Sequence, residues 1–204
     1  MTDPFARVKD AIADTLGALL PQQSDIAQPM VDAMRHAVLG GGKRMRPLMA
    51  CAACEAFSGS FKAALPAACG LEFIHAYSLI HDDLPAMDDD ELRHGQAATH
   101  IAFGEANAIL AGDSLHSLAF QALAEAPHLS HAAKLRCISL LSTAAGWPGM
   151  AGGQCLDIAA EGEGLVAPRV THRAPTGGVL SPAPGSSQAE RAGLWLLQLP
   201  SRPP

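Results

Sequence analysis

Eleven consecutive residues carry the densest chemistry of this chain: His81-Asp82-Asp83-Leu84-Pro85-Ala86-Met87-Asp88-Asp89-Asp90-Glu91, six of them acidic. They follow an apolar run from Leu71 to Ile80. Carboxylates this close repel one another, so something must offset the repulsion. A divalent cation would do so. Hard oxygen ligands suit Mg2+, which keeps several waters and completes its shell with one or two carboxylates and substrate phosphates. A solvated acidic helix face would also fit, and most charge runs end that way. Spacing adds a condition. Each helical residue turns about 100°, so Asp82 and Asp83 edge one face while Asp88 points about 240° round the axis. Pro85 cannot sit comfortably inside a helix. If Leu84 to Met87 bulge by about two residues, Asp88 becomes the equivalent of an i+4 neighbour of Asp82. Without a bulge, Asp82, Asp83 and Asp88 do not converge.

A second cluster is Gly40-Gly41-Gly42-Lys43-Arg44-Met45-Arg46-Pro47. The glycines permit an irregular backbone and close approach of a ligand. Lys43, Arg44 and Arg46 concentrate positive charge in a chain whose formal net charge is −6. Arginine suits bidentate phosphate recognition and lysine acts as a mobile point charge. The spacing is not that of a Walker A loop. A glycine turn followed by the basic start of a helix explains the same residues. Arg93, in Arg93-His94-Gly95, is either a surface ion pair of little worth or a reach towards a diphosphate held by the same metals. His75 lies in an apolar stretch, where a histidine is more often a hydrogen-bonded core residue than a ligand.

Together, three collinear segments resemble the trans-polyprenyl diphosphate synthases, most closely the bacterial farnesyl diphosphate synthase (geranyltranstransferase) branch. They are Gly42 to Pro47, Gly70 to Asp90, and Gly152-Gly153-Gln154-Cys155-Leu156-Asp157. The resemblance covers about residues 1–163. It implies an all-α fold, the N-terminal part of an isoprenoid-synthase helical bundle around a central cavity. The reaction it implies is transfer of an allylic group, dimethylallyl or geranyl diphosphate, to isopentenyl diphosphate, giving geranyl or farnesyl diphosphate with Mg2+ as cofactor. Asp82, Asp83 and Asp88 would be the first aspartate-rich motif, with Asp82 and Asp88 the best metal ligands. Gly42, Lys43, Arg46 and His75 would form the isopentenyl diphosphate pocket, with His94 beside it. Arg93 would contact the allylic diphosphate. Gln154 and Asp157 would line the cavity from a later helix. Tyr77, five residues before Asp82, would close the product tunnel, since a rigid ring limits chain length sterically. The resemblance also suggests a homodimer.

Those side chains suit the chemistry. Ionising an allylic diphosphate leaves a carbocation and a highly charged leaving group. Metal and basic residues stabilise the departing charge, and an apolar wall keeps water from the cation.

The sequence departs from the family pattern in three places. His94 stands where a second arginine is usual, which removes a permanent cation. Gln96-Ala97 replaces Lys-Pro before Thr99. From about Gly164 the composition turns to Pro, Gly, Ser, Ala and Arg, which favours disorder over a packed bundle. The second aspartate-rich motif expected of the family is not found there. We therefore expect an incomplete synthase-like domain over 1–164 and an irregular, non-homologous or frameshifted tail over 165–204. A truncated remnant or partner subunit that binds Mg-diphosphate without turnover is the alternative to an active transferase.

The elements needed to position these groups are visible as periodicity. Apolar residues recur at helical spacing over 5–20, 26–39, 48–57, 65–80, 106–124 and 132–145. Asp25 and Asp113 are expected helix starts, and Gly40 to Gly42 a stop. Abundant Ala and Leu with 4% aromatics fit a helical class, and 204 residues can bury a sizeable core. Repeats are not evident. Cys51-Ala52-Ala53-Cys54 has redox or zinc spacing but lacks a second pair, so two small core residues are the expectation. Five cysteines suit a reducing compartment. Asp3 and Asp10 break any signal-peptide order, and a cytoplasmic location is expected. Residues 137–156 are uncharged, but their glycines and Pro148 argue for buried helices rather than a membrane span. The acidic balance excludes nucleic acid as an expected partner.

Overall fold

The structure, a computed structural model, describes residues 5–58 and 60–160. The fold is all-α. Its elements are α1 (Ala6–Leu19), α2 (Gln28–Leu39), α3 (Met45–Ser58), a 3-10 turn (Phe61–Ala64), α4 (Leu65–Asp82), β1 (Leu92–Arg93), β2 (Gln96–Ala97), α5 (Thr99–Phe103), α6 (Glu105–Ala124), α7 (His131–Ala145) and α8 (Met150–Ala160). The expected tail over 165–204 lies outside the described residues. Two compact units divide the chain, one to Leu135 and one from Arg136.

In the first unit α4 is the central helix, packed against α6, α3 and α1. It is apolar nearly all round, as a helix enclosed by others must be. Ala68, Leu71, Phe73, Ile74, Ala76 and Ile80 are buried on different sides of it. The outer helices show the one-sided pattern: α1 buries Val8, Ile12 and Leu16, and α2 buries Val31, Met34 and Val38. α6 meets α4 through small residues, including Ala108, Ala111, Gly112 and Ala119. Gly112 is required there: a Cβ would lie 2.3 Å from Nε2 of His81, whose ring fills that space.

The segment 61–82 is long and apolar enough to cross a bilayer by length and composition, yet 56% of its most apolar window is buried within the protein. It also carries a buried ion pair, described below, so it reads as a core helix.

Boundaries expected from periodicity agree with the observed helices to within three residues. Local signals fared less well. Asp25 does not cap α2. Ala27 stands at the N-cap without a side-chain bond, and Ser24 ties the turn before it: its Oγ accepts the N–H of Ala27 at 3.0 Å, while its own N–H donates to Oε1 of Gln28 at 2.8 Å. Asp113 lies inside α6 and starts nothing. The stop at Gly40 is as expected.

In the second unit, residues 137–156 were expected to be buried. Among the described residues of α7 and α8, Leu141 and Ala145 are the buried ones. Trp147, in the Gly-Trp-Pro-Gly break between the helices, is 82% exposed. An uncharged composition gave the right helices but the wrong burial, because apolar content does not say what packs on a helix.

Candidate functional site

α4 ends at Asp82 and the acidic run follows as a tight loop. Pro85 has no N–H to continue the helical ladder. The carbonyl of Leu84 instead accepts the N–H of Met87 at 2.8 Å and that of Asp89 at 3.2 Å. The N–H of Asp88 donates to the carbonyl of Asp82 at 2.8 Å. Asp89 takes φ +53°, a left-handed conformation that Asp tolerates better than most residues. The helix therefore does not bulge and resume, as the spacing argument required. It stops and the chain curls back, which returns Asp88 to Asp82 by a different route. Burial, then Asp88 and Asp83, pushes the Asp82 carboxyl up to about 6, with Arg93 opposing.

Asp83 has another partner. It is 2% exposed and accepts from Arg93 through Nε, at 2.9 Å, and through Nη2. Arg93 Nη2 also reaches Oδ2 of Asp90 at 2.9 Å. Asp83 thus anchors β1 to the end of α4.

A basic cluster gathers around the loop after α2 and the β1–β2 turn. After α2, Gly41 and Gly42 take φ of +129° and +104°. Gly40 is held close to β2: a Cβ there would lie 2.8 Å from Oε1 of Gln96. Nε2 of Gln96 donates to the Gly40 carbonyl at 2.9 Å, and Nε2 of His36 lies 2.9 Å from the Ala97 carbonyl. β1 and β2 form a hairpin through His94 and Gly95, both at positive φ, the geometry of a two-residue primed turn. A Cβ on Gly42 would sit 3.8 Å from Nε2 of His94, so the glycine loop and the hairpin turn face each other.

His75 senses the whole cluster. Burial, then Arg46, His94, Arg44 and Arg93, lowers it to about 3, so it is neutral. Its buried Nδ1 has no protein partner. Lys43 is exposed and Arg46 half-buried. Arg44 belongs to the scaffold: Nη1 donates to Oε1 of Glu72 at 2.7 Å and Nη2 to the Val38 carbonyl.

Tyr77 is half-buried one turn before the loop. Its ring meets those of His81 and His116 edge-on at 5.0 and 5.1 Å, and His116 meets Phe120 at 5.1 Å. Burial, then Asp82 and Asp113, raises its hydroxyl, so the ring stands within the field of the acidic loop.

With this geometry in place, the comparisons with known proteins decide the family. The polyprenyl synthetase model matches residues 27–172. This chain belongs to the polyprenyl synthetase family. It is 48% identical over 159 residues to farnesyl diphosphate synthase of Escherichia coli K12, covering 76% of this chain and 53% of that protein. It is 47% identical over 154 residues to the Haemophilus influenzae enzyme of the same name, covering 74% and 52%. Among solved structures it resembles an FPP/GFPP synthase from Zymomonas mobilis, with TM-score 0.74 and 43% identity, covering 78% of this chain and 58% of that one. The chain spans about half the length of these curated relatives.

For a polyprenyl synthetase the donor set can be tested against Mg2+. Among the described residues, no group of three His, Cys, Asp or Glu side chains is close enough to hold a metal. Asp82 and Asp88 remain as a repelling pair of hard oxygen donors. That fits an ion that needs one or two carboxylates and takes its other ligands from water and phosphate. Asp83, committed to Arg93, fits less well. Gln154 and Asp157 lie on α8, in the second unit.

Sequence reasoning missed Glu72, His36, Gln96 and the aromatic partners of Tyr77. Glu72 had a signal: a charge inside an apolar run needs a partner. The others had none, since their roles depend on the hairpin and on α6. Of the two cysteines expected in the core, Cys51 is buried and Cys54 only half-buried, and burial pushes the Cys51 thiol up to about 11.

Proposed function

We propose that this chain is a short-chain trans-prenyltransferase domain that condenses isopentenyl diphosphate with dimethylallyl or geranyl diphosphate. The observation that supports the reading best is the return of Asp88 to Asp82 by the loop, within the field of the Arg93 guanidinium. An acidic pair and a set of basic groups suit two diphosphates, one taken through metal and one taken by side chains.

In this reading Asp82 and Asp88 hold Mg2+, which supplies positive charge to the departing pyrophosphate. Arg93 contacts the allylic diphosphate and stabilises the same charge. Gly42, Lys43, Arg46 and His75 receive isopentenyl diphosphate. Neutral His75 offers hydrogen bonds without adding repulsion among the arginines, and His94 completes the pocket as a weaker partner than the usual arginine. Tyr77, braced by His116, walls the hydrocarbon end and excludes water from the cation. The synthase-like domain extends over 1–164. Cytoplasmic location and a homodimer belong to the same proposal. Ile101, Ile109 and Leu110, all exposed on α5 and α6, offer an apolar face for the second copy.

The test is incorporation of radiolabelled isopentenyl diphosphate into geranyl or farnesyl diphosphate by the purified chain. Turnover that Asp82→Ala abolishes is the expected result; turnover untouched by that change would sink the metal role. A second reading is a subunit that binds Mg-diphosphate without turnover. Mg-dependent ligand binding without incorporation would select it.

A further inference from the structure

We propose that Asp90 is an internal competitor for diphosphate at Arg93, sharing Nη2 of the guanidinium with Asp83 until a ligand displaces it. This rests on the reading of Arg93 as a diphosphate contact. The two carboxylates that hold Arg93 are unequal. Asp83 is 2% exposed and takes Nε together with Nη2. Asp90 is 52% exposed and takes Nη2 alone, at 2.9 Å. Arg93 itself is 32% exposed. A buried pair, once formed, is costly to break from one side, whereas an exposed pair is worth little. An arriving anion can therefore replace Asp90 while Asp83 keeps the guanidinium aimed.

The loop is shaped to make this contact. The left-handed turn at Asp89 follows directly on Asp88 and brings the next residue back towards β1. The carboxylate of Asp90 then meets Nη2 of Arg93, two residues along the chain from Asp88. Arg93 lies in the field of Asp82, and its own charge reaches His75. Divalent metal adds to the advantage of the ligand over Asp90, because Mg-bound pyrophosphate is fixed at the adjacent carboxylates. The consequence is that Asp90 lowers affinity for diphosphate rather than supporting it, unlike its acidic neighbours.

Calorimetric titration of the full chain with inorganic pyrophosphate in the presence of Mg2+ tests this. Asp90→Asn keeps the shape of the side chain and removes its charge. Its Kd should fall about two- to fivefold, the range that loss of an exposed ion pair allows. Glu91→Gln removes an equal charge from the adjacent exposed position and should leave the Kd within about 1.5-fold of the wild type. Asp90→Ala should match Asp90→Asn, and thermal melts confirm that each variant is folded. Unchanged or weaker binding in both Asp90 variants overturns the proposal, as does equal tightening in Glu91→Gln. If the wild type binds and Asp82→Asn abolishes binding while Asp90→Asn changes nothing, this inference alone fails. A wild type that does not bind Mg-pyrophosphate at all overturns it together with the functional reading.

Discussion

The main-chain N–H of Asp88 donates to the carbonyl oxygen of Asp82 at 2.8 Å, six residues earlier in the chain. That bond makes neighbours of two carboxylates that a straight helix would hold on different faces. It forms because Pro85 ends the helical ladder and the carbonyl of Leu84 takes over as acceptor for the turn. Burial and the neighbouring Asp88 charge disfavour ionisation of Asp82.

Asp82→Asn should therefore separate stability from binding. A carboxyl whose folded pKa is raised contributes stability below its ordinary value, and that contribution is lost as pH rises through about 6. At pH 7 the metal-free wild type carries the cost; asparagine does not titrate. Allowing for solvent screening at this partly exposed site, the variant should be more stable by about 1 kcal/mol. It should also lose Mg-dependent pyrophosphate binding. Urea denaturation and calorimetry check the two halves. A variant less stable than wild type at pH 7 would contradict the repulsion.

How far the sequence could be read depends on what each feature rests on. Helices α1, α2, α4, α6 and α7 were legible because each repeats an apolar spacing over three or more turns. The hairpin was not, since strands of two residues leave no alternation to detect. Asp82 and Asp83 are the same residue type, one apart, yet one faces Asp88 and the other is buried on Arg93. Which does which is decided by where the helix ends and by the distant hairpin. Arg44 and Arg46 differ in the same way: Arg44 turns inward to Glu72, a choice made by tertiary packing.

The Arg44–Glu72 pair supports that basic loop from below. Their side chains are 18% and 5% exposed. Glu72→Ala would strand the guanidinium in a poorly solvated place and should cost about 3 kcal/mol in urea denaturation. Replacing both residues with leucine should recover much of the loss, because a matched apolar pair does not leave a buried charge. A double variant no more stable than Glu72→Ala would show that Arg44 contributes by some means other than the pair.

His75 gives the protein an acid sensitivity of its own. Burial, then the surrounding Arg46, His94, Arg44 and Arg93, lowers it from 6.5 to about 3. A depressed group stabilises the fold above its unfolded pKa, and the stability is lost as pH falls from about 6.5 towards 3. Between those limits the loss approaches about 1.4 kcal/mol per pH unit. His75→Gln cannot take up that proton in the unfolded chain. Between pH 7 and pH 5 the wild type should lose about 2 kcal/mol more stability than the variant. Equal losses would mean that His75 titrates normally.

His94→Arg sets two effects against each other, and their sizes decide the outcome. The side chain stands at the turn of the hairpin, at φ +53°. An arginine tolerates that conformation less well, at a cost of roughly 1 kcal/mol. The glycine loop opposite leaves room, since a Cβ on Gly42 would still be 3.8 Å from Nε2 of His94. Arginine brings a permanent cation to the pocket read here as the isopentenyl diphosphate site, and a charged hydrogen bond to phosphate is worth about 1.5–3 kcal/mol. Binding should win: affinity for isopentenyl diphosphate at pH 7 should rise about tenfold, while thermal stability falls by a few degrees. Calorimetry and a melt on the same preparation measure both. Affinity that stays level while the melt falls would place His94 outside the ligand's reach, and would leave Lys43, Arg46 and His75 to hold that diphosphate without it.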